Sequence, residues 1–367
     1  MAFDPKNVNL DEASQEDIIC YLSTSGNEYD GRLGARISSI FVILVTSYAC
    51  TLFPVIAKRV PSWKIPYSVY QFARYFGCGV IVATAFIHLA DPAYENIGTT
   101  SCVGVSGHWG DYPWCSCIIL ASVVGIFLLD LSAEVYVEHK YGVHRDENAV
   151  DAFLQPVHMH SAEEKEDGGE DACANHNNSS NGEAFKYAKD GGPYHIDEDT
   201  ALAECAFRQQ IAAFLILEFG VLFHSVIIGL NLGVTGDEFA TLYPVIVFHQ
   251  AFEGLGIGAR LSSIPFGKRA WLPWFLCSAY GICTPVAIAV GLGVRTTYAP
   301  ESKTAQIVQG VLNAISAGIL IYTGLVELLA RDFLFDPSRT RNRVRLLYMV
   351  FCTLLGAGIM ALLGKWA

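Results

Sequence analysis

Long runs of apolar residues, each close to the length of a membrane-crossing helix, recur along this chain between short polar stretches. Eight stand out, at roughly 36–57, 70–90, 114–136, 209–233, 239–260, 270–294, 307–329 and 344–366. About 20 apolar residues carry an α-helix across the hydrocarbon core of a bilayer. The pattern therefore predicts an all-α, polytopic membrane protein with eight transmembrane helices. Short connections between the last four segments suit antiparallel neighbours. One long polar stretch, 137–208, follows the third segment, and setting apart the fourth and fifth segments, which carry the repeat described below, gives a 3+2+3 arrangement.

The domain organisation follows directly. Residues 1–35 form a polar, acidic N-terminal tail, 36–136 hold helices one to three, and 137–208 form a loop. Residues 209–260 hold helices four and five, and 261–367 hold the last three. The start, Met1 to Asn7, is polar and lacks a basic region followed by an apolar one, so no cleavable signal peptide is expected.

Lys and Arg concentrate in cytoplasmic connections. Lys58, Arg59 and Lys64 follow the first segment, and Arg260, Lys268 and Arg269 follow the fifth. Arg331, Arg339, Arg341, Arg343 and Arg345 lie between the seventh and eighth. The opposite connections are poor in basic residues: none occurs from His88 to His139, and the 234–239 turn carries Asp237 and Glu238. This alternation places both termini outside the cytoplasm and makes 137–208 a cytoplasmic loop.

Composition agrees. Hydrophobic residues make up 52% of the chain and charged residues 16%, against about 25% charged in soluble domains. The net charge of −12 gathers largely in the 137–208 loop, whose low hydrophobicity predicts disorder. No basic patch is dense enough for nucleic acid. His158 and His160 form a weak metal pattern in that loop. They read either as solvated side chains or as low-affinity loop contacts for a cytosolic metal. Of 11 cysteines, Cys20, Cys102, Cys115 and Cys117 map to the outer side. Some are expected to pair there, for example across the 91–113 loop, but spacing leaves the connectivity open.

Two neighbouring segments carry an internal repeat. His224–Gly233 and His249–Gly258 both read His-x4-Gly-Leu-x-(Leu/Ile)-Gly. In the second copy, Glu253 follows His249 by four positions and shares its helix face. A carboxylate at the centre of a membrane helix costs about 2.5–3.5 kcal/mol, which a bound divalent cation would offset. Imidazole nitrogen and carboxylate oxygen are good zinc ligands. His224, at the matching depth on the preceding antiparallel helix, supplies a third. Gly229, Gly233, Gly254, Gly256 and Gly258 are expected to let these two helices approach closely. Further intramembrane polar residues are candidates for a path: His88 with Asp91, Glu218 and Glu327. Asp130 and Glu134 read equally well as structural hydrogen bonders.

Several segments resemble the ZIP (ZRT/IRT-like) metal transporters, nearest to the fungal zinc-uptake branch. They are residues 36–41 (Arg-Ile-Ser-Ser-Ile-Phe), 86–91 (Phe-Ile-His-Leu-Ala-Asp), 218–229, 249–254 and 318–329. The resemblance covers nearly all of 17–367 outside the variable loop. It implies eight helices with both ends outside, a metal path between helices two, four, five and seven, and a metal centre on His224, His249 and Glu253. Some family members hold a second, adjacent metal through an acidic residue four positions after the first histidine. Here that position is Ile228, its polar neighbours are Ser225 and Gln250, and the matching sixth-helix position is Thr284. One metal is therefore expected, not two.

The leading expectation is a plasma-membrane importer of Zn2+, with no cofactor beyond the transported ion. Fe2+, Mn2+, Co2+ and Cd2+ suit the same ligand set, and donor type alone does not decide among them. No phosphate-binding Gly-x4-Gly-Lys-Ser/Thr loop is present, which argues against direct use of ATP. Proton coupling and a homodimer stay open. The competing class, an intramembrane zinc hydrolase, would place a glutamate next to the histidine in His-Glu-x-x-His, a pattern this chain lacks.

Overall fold

The structure, a computed structural model, describes residues 14, 18–20, 29–60, 62, 64–141, 198–267, 269–300, 302–335, 340 and 342–366. Among them no strand occurs. The long helices are α1 (Leu33–Arg59), α2 (Tyr67–Ile97), α3 (Trp114–Tyr141), α4 (Glu198–Val234), α5 (Phe239–Ser263), α6 (Leu272–Gly293), α7 (Lys303–Phe335) and α8 (Arg343–Leu363). Each apolar segment read from the sequence coincides with one of these helices, the sixth and eighth running up to three residues past the observed ends. Seven are long and apolar enough to cross a membrane. The exception by composition is α5, the helix that carries His249, Glu253 and Arg260. Two helices change pitch: α2 is a π-helix over Thr84–Ala90, and α7 over Thr323–Phe335.

The chain divides into two compact units, Met1–Glu134 with Cys205–Ala367, and Val135–Glu204. The site lies within the first. The second contains the described helical residues 135–141 and 198–204. The bulk of the long loop, with His158 and His160, lies outside the described residues, as does most of the N-terminal tail.

Helix ends follow local chemistry. Pro66 precedes α2 and Pro273 lies in the first turn of α6, where a missing N–H leaves nothing unsatisfied. The Asn342 side chain accepts hydrogen bonds from the N–H groups of Val344 and Arg345 at 3.0 and 3.4 Å, and so caps α8.

Burial separates inner helices from outer ones. The apolar windows of α2 and α7 are 72% and 67% buried, that of α3 only 6%. Hence α2 and α7 form the centre of the packing, and α3 turns residues such as Leu120 and Leu129 outward. An exposed apolar face of this kind suits lipid, where helix association depends on close packing and not on exclusion of water. α1 packs along α5 and α6, α8 along α2, and α2 against α5 and α7.

Glycines make these seams, though not the one expected. A Cβ at Gly229 or Gly233 of α4 would strike α6, at Thr284–Ile288 and Gly291–Leu292. One at Gly254 or Gly258 of α5 would strike α1, near Ser47 and Thr51. Gly256 touches Gly77 of α2. The glycines thus dock each repeat helix onto a different partner and do not bring α4 and α5 together. Residues four apart share a face; Gly229, Gly233, Gly254 and Gly258 lie off the histidine faces, whereas Gly256, two turns beyond His249, shares the face of His249 and Glu253 and meets α2.

Arg36 is fully buried at the start of α1. Its guanidinium donates to the carbonyls of Leu232 and Gly233 at 3.0 and 3.2 Å, and to that of Thr235. It also pairs with Asp30 at 2.8 Å. These carbonyls are the unsatisfied last acceptors of α4, the partially negative end of its dipole. The Arg36 hydrogen bond holds the Asp30 carboxyl below the usual carboxylate range. A disulfide joins Cys20 to Cys102, while Cys115 and Cys117 are free.

Candidate metal centre

Three side chains from two helices meet in the buried interior. His249 and Glu253 stand one turn apart on α5, each 1% exposed, with His249 Nε2 3.3 Å from Glu253 Oε1. His224 of α4 is 3% exposed. One ligand atom from each of the three lies within 4.8 Å of the others. A tetrahedral zinc with ligands at about 2.0–2.1 Å would hold them roughly 3.3 Å apart, so small side-chain movements suffice to close the set.

What marks this group is its hydrogen bonding. Both nitrogens of His224, Nε2 of His249 and both oxygens of Glu253 are buried with no hydrogen-bond partner. Nearly all buried polar atoms in proteins have one, and a carboxylate buried with only a neighbouring imidazole 3.3 Å away is costly. One such atom from each of the three side chains comes within 4.8 Å of the other two, an arrangement that a divalent cation would satisfy. The two imidazoles and one carboxylate suit a borderline-soft divalent ion better than a hard one such as Mg2+ or Ca2+.

A fourth ring joins from α2. His88 lies in the π-helical stretch, 5% exposed, edge-on to His249 with ring centroids 4.7 Å apart and 6.5 Å from His224. Its Nε2 lies 3.2 Å from the Met360 carbonyl of α8. Asp91, read from sequence as its partner three residues on, is exposed instead. The wider π-turn breaks the α-helical spacing on which that pairing depended.

The neighbouring polar positions are occupied by each other. Gln250 Nε2 donates to Thr284 Oγ1 at 2.9 Å, and the Tyr280 hydroxyl donates to Gln250 Oε1 at 2.7 Å. Both ends of the Gln250 amide are thereby used within the protein. The Ser225 hydroxyl is buried and unpartnered. Ile228, the residue standing where a second carboxylate would be, packs in an apolar cluster with Ile43, Leu232 and Ile288.

The remaining candidates lie elsewhere. Glu218 is buried on α4 with both oxygens unpartnered, six residues before His224 and outside the three-residue group. Glu327 pairs with Arg331 at 2.7 Å. Asp130 accepts from the Tyr322 hydroxyl at 2.8 Å, the structural reading of that residue, and Glu134 is half-buried on α3. The sequence reading missed Tyr280, Arg74 and Asp332, which carry no pattern, and saw Arg260 only as a basic residue flanking the fifth segment.

An all-helical bundle of membrane-crossing helices with a buried His/His/Glu cluster defines a polytopic membrane protein with a candidate metal site in its interior. Residues 33–364 match the family described as ZIP Zinc transporter, and the chain belongs to that family. It is 53% identical over 373 residues to Zinc-regulated transporter 1 of Saccharomyces cerevisiae, covering 100% of this chain and 97% of that protein. It is 42% identical to Zinc-regulated transporter 1 of Schizosaccharomyces pombe, covering 98% and 92%. Identity to Zinc transporter 5 of Oryza sativa is 30%, covering 95% and 91%. The protein is a transporter, not an enzyme, and the metal is its substrate.

Proposed function

We propose that this protein imports Zn2+ across the plasma membrane into the cytosol through a single site formed by His224, His249 and Glu253. The observation that carries the reading is the set of five orphaned ligand atoms on those residues. The carboxylate supplies charge to attract the ion out of water. Only one carboxylate is present, so the ion can leave as well as bind. His88, against His249, stands on the path to this site, while Asp91, Glu134 and Glu218 are not part of its ligand set. The self-satisfied Gln250–Tyr280–Thr284 group and apolar Ile228 leave no charged ligand for a second ion, which favours one metal per chain.

Orientation follows from charge. The ends of α1 and α5 that carry basic residues lie together: Lys58 Nζ donates to the Ser262 carbonyl at 2.6 Å, and Arg59 to that of Ala270 at 3.2 Å. This grouping supports a single basic, cytosolic face with both termini outside, and with it eight spans in a 3+2+3 plan around the 137–208 loop.

Uptake of labelled zinc by cells expressing His249→Ala or Glu253→Ala tests the site. The expected result is uptake at background with surface amounts unchanged, and normal uptake by both variants refutes the assignment. Competition of labelled Zn2+ with Fe2+ and Mn2+ in the parent protein tests selectivity, and zinc should prevail.

A further inference from the structure

Beyond Glu253, α5 continues two turns to Arg260, and Gly256 lies between. Positions 253, 256 and 260 share one helix face. On α2, Arg74, Cys78 and Ile81 also follow helical spacing, and on α7 Leu328 and Asp332 do so. Most of these residues line one cavity: Arg74, Cys78, Ile81, Gly256, Arg260, Ser263, Leu328 and Asp332 surround a space of about 10 Å³, room for a single water at most. The cavity lies between the metal cluster and the arginine-rich end of the helices. Gly256, in its lining, packs against Gly77 of α2.

The lining also carries charge. Arg74 binds Asp332 through two contacts, Nε at 2.9 Å and Nη2 at 2.6 Å. Arg331 reaches Glu327 at 2.7 Å, and Arg260 approaches the same carboxylate oxygen at 3.9 Å. Glu327 and Asp332 are five residues apart, and the π-helical pitch of α7, with its i→i+5 bonding, brings them onto one face. Three guanidinium groups thus surround two carboxylates, a net positive barrier across the way out for a cation.

The geometry points to a cytosolic gate in which Glu327 receives the departing divalent cation, Arg260 is the latch that blocks it, and the Arg74–Asp332 pair is the fixed frame beside it. Resting on the transport reading above, this assigns roles to Arg74, Arg260, Arg331 and Asp332. Arg260 is the moving member for two reasons. Its contact with Glu327 is the longest of the set, whereas the two-point Arg74–Asp332 pair is the strong one. It also shares a rigid helix with His249 and Glu253, while the carboxylates sit on α7. A shift of α5 against α2 and α7 therefore breaks Arg260–Glu327 and Gly77–Gly256 together and leaves Arg74–Asp332 intact. The cation released from Glu253 then replaces the Arg260 guanidinium at Glu327.

Cys78 lines the cavity and is buried, so it reports the gate directly. The full-length protein in vesicles is exposed on its arginine-rich side to a small charged methanethiosulfonate, and labelled peptides are resolved by mass spectrometry. Cys277, fully buried away from this cavity, is the internal control for folding. Arg260→Met and Glu327→Gln each should raise the rate of Cys78 labelling by about tenfold, with Cys277 unchanged and Arg260→Lys close to the parent. Unchanged Cys78 labelling in both variants overturns the gate, as does a joint rise of Cys78 and Cys277 in both, which would make the arginine a folding residue. If His249→Ala abolishes zinc uptake while Cys78 stays closed in both gate variants, the gate fails and the metal centre stands. If the gate opens as expected but His249→Ala and Glu253→Ala transport normally, the metal centre fails.

Discussion

Glu253 is 1% exposed, with the His249 imidazole 3.3 Å from its carboxylate; a charge buried this deeply favours a cation beside it, and the sequence already carries that reasoning in the His-x3-Glu spacing. Arg36 poses the reverse problem and solves it within the protein, through the α4 carbonyls and Asp30. Removing one partner of a buried pair typically costs about 3–5 kcal/mol, so Arg36→Met is expected to lower the unfolding temperature of the detergent-purified protein markedly. Asp30 adds a pH signature. Its carboxyl is held low in the folded state by the Arg36 hydrogen bond. The stability it contributes is present above its unfolded pKa and lost as pH falls through the lowered folded value. Thermal melts should therefore fall off in the acid range below about pH 4, and Asp30→Asn should weaken that fall. An equal acid slope in both proteins contradicts the pairing. Neither role was legible in sequence, because an arginine at a helix start looks the same whether it faces lipid headgroups or the end of another helix.

At the scale of elements, the helices were legible and their faces only partly so. Apolar runs announce helices in a membrane protein because a spanning segment must satisfy its own backbone. They carry no trace of the π-helical stretches, which is why His88 and Asp91, paired by α-helical spacing, diverge while Glu327 and Asp332 converge. The glycines of the repeat were visible but assigned to the wrong seam, since a small residue shows that something comes close without showing what. Gly258 and Gly358 make the point testable. A Cβ on Gly258 would collide with the Thr51 backbone of α1, whereas one on Gly358 meets nothing within 4 Å. Gly258→Ala is expected to destabilise the protein by about 1–3 kcal/mol. Gly358→Ala, freed of backbone entropy, should be neutral or up to about 1 kcal/mol more stable. Equal melting temperatures for the two variants would refute the α1–α5 seam.

For the whole molecule, the arrangement sets one lightly charged His/His/Glu cluster among helices whose outer surfaces suit lipid. α4 and α5 supply its side chains, α2 adds His88, and α7 ends in the charge network with Arg260 and Arg74. The central cluster was readable from the chain because the histidine repeat and Glu253 break the apolar pattern three times at matched depth. The charge network was not, because its members come from three helices distant in sequence and look singly like ordinary flanking charges. The most direct measurement is an anomalous difference map at the zinc edge from crystals of the purified protein grown with zinc. One full peak among His224 Nε2 or Nδ1, His249 Nε2 and the Glu253 carboxylate is the predicted result. No peak there, or two adjacent full peaks extending toward Gln250 and Thr284, would contradict it.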